Sequence, residues 1–249
     1  MRLKGKVAFV TGAGGGIGSA VCRKFLAEGA RVAATDINTD AASAALGDSI
    51  AQGEAIVIKC DVGDPEEVRS AIARSVEALG GLNVLVNTAG GSTPNDGPVT
   101  EAPDEEFWRV MRLDLFGTFQ VCKQGIPEVI KSGGGSVINL SSVTALHAIE
   151  GRDCYTAAKG GITSMTRSMA GGYAKDGVRV NAISPGLTLT PRVQAMYETT
   201  PSMQTFAERH LMGPCTPEDM ANMAVFLASD ESMRVTGQIL QVDSGVTIH

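Results

Sequence analysis

Tyr155 and Lys159 stand four residues apart in Tyr155-Thr156-Ala157-Ala158-Lys159. On a helix that spacing puts both on one face, one turn apart. A phenol with an ordinary pKa near 10 is ionised in only about one molecule in a thousand at pH 7. A neighbouring ammonium group and an oxidised nicotinamide ring both favour the phenolate, which makes such a tyrosine a usable general base. Ser142, 13 residues earlier, adds a hydroxyl from a neighbouring strand end. A second cluster is Thr11-Gly12-Ala13-Gly14-Gly15-Gly16-Ile17-Gly18. Its glycines let backbone N–H groups approach a pyrophosphate at the positive end of a helix, where a Cβ would collide. The pattern is T-G-x-x-x-G-x-G through Gly12, Gly16 and Gly18, not G-x-G-x-x-G. Asp36 follows Gly18 by 18 residues, close to the spacing of an acid that binds the adenosine ribose hydroxyls. A carboxylate there repels a 2′-phosphate and Ile37 offers no cation in its place, so the expected cofactor is NAD. An N-cap role for Asp36 in the next helix is compatible with this.

Such groups need strands to carry them. Apolar runs at 7–10, 31–35, 55–60, 82–86, 136–140, 178–183 and 239–242 read as strands. Most are too continuous in Val, Ile, Ala and Leu for a one-sided sheet, which suits parallel strands covered on both faces. Helix-like segments lie between them. Asp64-Pro65-Glu66-Glu67 and Thr216-Pro217-Glu218-Asp219 each combine an N-cap residue, Pro at the first helical position and acids in the first turn. Alternating strands and helices predict right-handed βαβ units in one doubly wound α/β sheet, a single domain over 1–249. Ligands bind such sheets outside the carboxyl ends of the strands. There the sequence places Asp61-Val62, Asn87-Thr88-Ala89-Gly90, Ser141-Ser142 and Pro185-Gly186. The least regular stretch, 187–215, contains Pro191, Pro201 and Pro214 and reads as a long loop, either a lid over the site or a surface excursion.

Composition excludes several classes. Of 249 residues, 43% are hydrophobic and 19% charged, which is globular rather than disordered. Twenty-one basic against 27 acidic residues leave a net charge of −6, and one Trp with three Tyr offers few stacking platforms, so no nucleic-acid partner is expected. The five cysteines form no Cys-x-x-Cys pair, and His147, His210 and His249 are dispersed, so no metal is expected. The N-terminus lacks an apolar signal region and no apolar run reaches the length of a membrane span, which points to a reducing cytoplasm.

Taken together and in register, Thr11–Gly18, Asp61-Val62, the 87–90 turn, Ser142, Tyr155, Lys159 and Pro185-Gly186 with Thr190 resemble the single-domain short-chain dehydrogenase/reductase family. The likeness runs from Lys4 to Gly245. It implies a Rossmann-type sheet of about seven strands with helices on both faces. It also implies hydride transfer between a nicotinamide and a secondary alcohol or ketone. On that resemblance Ser142 binds the substrate oxygen, Tyr155 takes the alcohol proton, and Lys159 binds the nicotinamide ribose. Gly12, Gly14, Gly15, Gly16, Ile17 and Gly18 cradle the pyrophosphate, and Asp36 and Ile37 meet the adenosine ribose. Asn87, Ala89 and Gly90 flank that ribose, Asp61 and Val62 the adenine, and Pro185, Gly186, Thr188 and Thr190 the nicotinamide side. The family's tetramer would pack through helices around 105–130 and 155–174.

Three positions depart from the family pattern. Thr88 replaces the second Asn of N-N-A-G, and Ser244 replaces a Gly in V-D-G-G. Asp114, in Asp114-Leu115-Phe116-Gly117, falls where the family has a relay asparagine. An ionised Asp ~6 Å from Tyr155 would oppose the phenolate by about 3 kcal/mol at an effective dielectric of about 20. It either pairs with Lys159 or accepts from the relay water and leaves an active enzyme with a raised pH optimum, or it leaves a catalytically weak NAD-binding protein. A 3-oxoacyl-thioester reductase is the other enzyme reading. Arg152, three residues before Tyr155, falls near the mouth of the family's substrate cleft, where it would hold an anionic group or serve as a solvated or subunit-contact arginine.

Overall fold

Strand residues here alternate between two cores. In β1 (Val7–Thr11) all five residues are buried; Ala8 and Val10 face one core, Val7 and Phe9 the other. Similar two-sided burial runs through β2 (Arg31–Asp36) and β4 (Val84–Asn87), where Val84 and Val86 face the first core and Leu85 the second. With β3 (Ala55–Lys59), β5 (Gly135–Leu140), β6 (Val178–Pro185) and β7 (Ile239–Val242) they form one sheet of order β3-β2-β1-β4-β5-β6-β7. Every pairing is parallel, as the continuous apolar runs predict. These features belong to a computed structural model that describes residues 1–248; His249 lies outside them.

Helices α1 (Gly16–Ala27), α2 (Thr39–Leu46) and α3 (Asp48–Ala51) follow the first two strands. Next come α4 (Pro65–Leu79), α5 (Asp104–Val110), α6 (Gly117–Lys131) and α7 (Asp153–Tyr173). The last three are α8 (Pro191–Tyr197), α9 (Pro201–Glu208) and α10 (Pro217–Ala228). Phe25 of α1, Leu46 of α2 and Met220 of α10 join the first core, while Ile72 of α4 and Ile126 of α6 join the second. Both start signals are realised. Asp64 accepts from the Glu66 and Glu67 amides ahead of α4, and Thr216 with Asp219 makes a reciprocal capping box on α10.

The 187–215 segment differs from the expected loop, since it folds into α8 and α9. Pro191 and Pro201 each occupy a first helical turn, where the missing N–H costs nothing, so residues that read as breakers are helix starters. Its two ends are pinned together by the Leu189 amide donating to the Cys215 carbonyl and the Cys215 amide to the Leu187 carbonyl, each at 2.8 Å. No helix of the described residues is long and apolar enough to cross a membrane.

Strand order reverses between β1 and β4, whose ends meet in the register Thr11 opposite Asn87. A crevice opens at such a reversal, beyond the carboxyl ends of the strands.

Candidate active site

Helix α7 starts after Arg152, which has no acceptor to offer as a cap. Asp96, between β4 and α5, supplies the cap from outside, accepting from the amides of Cys154 at 3.1 Å and Tyr155 at 3.0 Å. Asp153 in turn accepts from the Val99 amide at 2.7 Å. The segment after β4 is thereby fastened to the turn that carries Tyr155. Arg152 strengthens the join, with Nη1 donating to Ser92 Oγ at 3.0 Å and the Thr93 carbonyl at 3.3 Å. Arg109 donates to the Gly91 carbonyl at 3.1 Å and is ion-paired with buried Glu106, which accepts from Thr93 Oγ1. The Arg109 guanidinium, bonded to Glu106, holds that carboxyl below the usual carboxylate range.

One turn beyond Tyr155, Lys159 is buried. Its Nζ donates to the Leu140 carbonyl at 2.9 Å and pairs with Asp114 Oδ1 at 2.8 Å. The same nitrogen lies 5.3 Å from the centre of the Tyr155 ring. Asp114 sits in a single π-helical turn, Met111–Phe116, that joins α5 to α6; widened turns of this kind recur at functional sites. The Gly91 amide reaches both its oxygens at 3.2 Å, and Gly90, at φ +145°, leaves room for the carboxylate that a Cβ would strike.

These charges set the proton affinities. Burial works against the Lys159 ammonium, but Asp114 and Tyr155 outweigh it and hold its pKa above the ordinary lysine value. Tyr155 keeps some solvent contact, yet the protein mass around it disfavours the phenolate. That burial raises its pKa most; Lys159 pulls it down, Asp114 pushes it up again, and Ser142 and Arg192 pull it down, leaving it above the ordinary phenol value. Asp114 thus cancels part of the help that Lys159 gives. Ser142, at the end of β5, accepts from the Thr144 amide at 3.2 Å and keeps its hydroxyl proton free to donate.

The glycine turn lines the crevice. Gly12 has φ +65°, and a Cβ on it would sit 2.8 Å from the Ala89 amide nitrogen, so the turns after β1 and β4 touch. Thr11 Oγ1 accepts from the Thr88 and Ala89 amides, and the Thr88 hydroxyl donates to the Thr11 carbonyl. Thr88 is therefore part of the seam between β1 and β4, which accounts for a threonine there. Gly14 and Gly15 precede α1, whose N-terminal amides at Gly16, Ile17 and Gly18 have neither a side-chain cap nor a first-turn acid. Thr190 lies over Gly16, 2.6 Å from where a Cβ would stand. Asp36 accepts from the amides of Gly14 at 2.9 Å and Asn38 at 2.8 Å, and Ile37 is exposed. Asn38, not Asp36, caps α2.

Other predicted positions point elsewhere. The Asn87 side chain turns inward, donating to Asn139 Oδ1 at 2.9 Å, so it braces the sheet while Ala89 and Gly90 stay at the crevice. Val62 is buried against Gly117; its neighbour Asp61 is paired with Arg112 at 3.1 Å. Pro185 closes β6, and Thr188 donates to the Gly186 carbonyl. His210 was no candidate in the sequence, yet its Nε2 accepts from the Leu187 amide at 2.9 Å and its Nδ1 donates to the Phe206 carbonyl. The imidazole thus braces the turn after β6. Ser244 adopts φ +53°, where glycine costs less, and its hydroxyl accepts from the Met212 amide. Asp96, His210 and Arg192 carry no local sequence signal, because each acts on a partner distant in the chain. Cavities of about 420 and 510 Å³ border α9 and α10, the first beside Tyr197 and His210, the second beside Met223 and Phe226; neither is lined by Ser142 or Tyr155.

A seven-stranded parallel sheet with an uncapped glycine turn after its first strand is the Rossmann-like frame of the short-chain oxidoreductases. The sequence model of the enoyl-(acyl carrier protein) reductase family matches residues 12–247. The chain belongs to the short-chain dehydrogenase/reductase family. It is 38% identical to 2,5-dichloro-2,5-cyclohexadiene-1,4-diol dehydrogenase LinX of Sphingobium indicum, over 99% of this chain and 98% of that one. It is 35% identical to 3-oxoacyl-(acyl-carrier-protein) reductase FabG of Thermotoga maritima, over the whole of both. The solved structure of 7α-hydroxysteroid dehydrogenase with NADH and 7-oxo glycochenodeoxycholic acid superposes with a TM-score of 0.90 at 34% identity, covering 98% of this chain and 95% of that one.

Proposed function

We propose that the protein is an NAD-dependent dehydrogenase of secondary alcohols with Tyr155 as its general acid and base. The observation that carries this reading is the convergence of Ser142, Tyr155 and Lys159 at the edge of the parallel sheet where β1 runs into the uncapped N-terminus of α1. The crevice fits a dinucleotide: the Gly12–Ala89 contact leaves no room for a Cβ, and the free amides of α1 suit a pyrophosphate. Gly186, Thr188 and Thr190 would hold its nicotinamide side, and Asp36 the hydroxyls of its adenosine ribose. The Asp36 carboxylate and exposed Ile37 favour NAD, because a 2′-phosphate would meet a negative charge and no cation. When bound, the dinucleotide supplies the hydride acceptor for alcohol oxidation and the donor for ketone reduction. Ser142 donates to the substrate oxygen, and Tyr155 takes the alcohol proton or returns it. Lys159 orients the nicotinamide ribose while Asp114 keeps it charged.

The test follows reduced-nicotinamide absorbance while a panel of secondary alcohols is offered with NAD⁺ or NADP⁺. Turnover with NAD⁺ is expected, and Tyr155→Phe should reduce it at least a hundredfold while NADH still binds. NADH binding without turnover across the panel would favour a catalytically weak binding protein instead. A second reading, 3-oxoacyl-thioester reduction, is supported by the likeness to the Thermotoga relative. Turnover of acetoacetyl thioester with NADPH, and none of the alcohols with NAD⁺, would replace the first reading with it. Trp108, Phe116 and Phe119, exposed on α5, the π-helical turn and α6, support assembly into a homotetramer. Light scattering giving the monomer mass would refute that assembly.

A further inference from the structure

Arg192, the second residue of α8, reaches from its own wall of the cleft to the facing one. Its Nη2 lies over Gly91, 2.6 Å from where a Cβ on that glycine would stand. It makes no ion pair and donates no hydrogen bond among the described residues, and it is exposed. The carboxylates around it are all committed. Asp114 holds Lys159, Glu106 holds Arg109, Asp96 caps α7, and Glu198 of its own helix accepts from Gln194 at 2.8 Å. No carboxylate among the described residues is therefore paired with this guanidinium, which stays free to meet an anion brought into the cleft.

Geometry separates the two sources of such an anion. The glycine turn is met by Thr190 and Pro191, which stand 2.6 and 3.2 Å from a Cβ on Gly16. Arg192 turns away from that contact toward Gly91, and its charge reaches the Tyr155 phenol. The glycine it lies over donates its amide to Asp114, which pairs with Lys159, so the guanidinium stands on the side of the cleft that holds the Tyr155–Lys159 pair. We propose that Arg192 is a specificity residue that binds an anionic group, a carboxylate or an oxyacid of similar shape, carried by the alcohol or ketone substrate. A planar fork of N–H donors suits that task. The proposal rests on the dehydrogenase reading above and adds the substrate's charge to it.

The probes are acetoacetate and levulinate, each compared with its methyl ester, reduced with NADH. For at least one pair the wild-type kcat/KM should favour the keto acid by about tenfold or more, the size of a charge-assisted hydrogen bond. Arg192→Gln should bring that ratio close to one and Arg192→Lys should restore part of it, with the KM for NADH unchanged. Ratios equal in wild type and Arg192→Gln would overturn the proposal. A rise in the KM for NADH with unchanged ratios would also overturn it, by assigning the cation to the cofactor. If none of the four ketones is reduced, the dehydrogenase reading fails for them, and calorimetry of levulinate with the enzyme–NADH complex decides on Arg192 alone. A Kd weakened about tenfold in Arg192→Gln supports the proposal; an equal Kd, or no binding to wild type, overturns it.

Discussion

Replacing Asp114 by Asn should move the pH profile of alcohol oxidation toward neutrality. Asp114 Oδ1 is 2.8 Å from Lys159 Nζ, which is 5.3 Å from the Tyr155 ring centre, so the carboxylate lies within about 8 Å of the centre of the phenol ring. At an effective dielectric of about 20, unit charges ~8 Å apart interact by ~2 kcal/mol. Burial raises the Tyr155 pKa most, and the Asp114 carboxylate adds to that rise. The groups facing Tyr155 are Lys159 on its own helix, Ser142 after β5, Arg192 on α8 and Asp114 on the π-helical turn. Only Asp114 among these charges opposes the phenolate. Oxidation requires deprotonated Tyr155, so activity rises with pH through its pKa. Removing the negative charge lowers that pKa and shifts the rising limb to lower pH. The assay is kcat/KM for the best alcohol at saturating NAD⁺, across neutral to alkaline pH. Asn keeps the volume and one acceptor for Lys159, so melting temperature serves as the control for folding. A folded Asp114→Asn protein whose rising limb stays in place, or moves to higher pH because Lys159 has lost its charge, would refute the electrostatic argument.

Two further outcomes follow from the same geometry. Asp36→Ser should raise the NADP⁺-to-NAD⁺ ratio of kcat/KM by at least about tenfold, because the group that repels a 2′-phosphate is gone; an unchanged ratio would show that another residue selects the cofactor. Arg152→Ala should weaken keto acids and their esters equally, since its guanidinium is spent on Ser92 and Thr93. A loss confined to the keto acids would instead give Arg152 the charge-reading role.

Much of the architecture is visible in the chain alone. Residues 7–10 and 84–86 are apolar on both faces because a parallel strand is covered on both faces, and the structure buries them so. The Gly12–Gly18 turn and the Tyr155–Lys159 spacing are local facts, dictated by backbone geometry and helical periodicity. Proline is less transparent: at 191 and 201 it begins helices, because a sequence shows that an N–H is missing but not that the first turn never needed it.

The site divides along the same line. Residue types and spacing within one segment determined which groups are present: the glycine turn, Asp36, the serine, the tyrosine and the lysine. Tertiary structure decided how they are charged and aimed. It joined Asp114 to Lys159, turned Asn87 into the sheet, brought Asp96 to cap the helix that bears Tyr155, and left Arg192 without an acid. None of these follows from periodicity. A charge or a helix cap is satisfied by whatever the fold brings within about 3 Å, and for residues dozens of positions apart that distance is decided only when the strands are ordered and the helices packed.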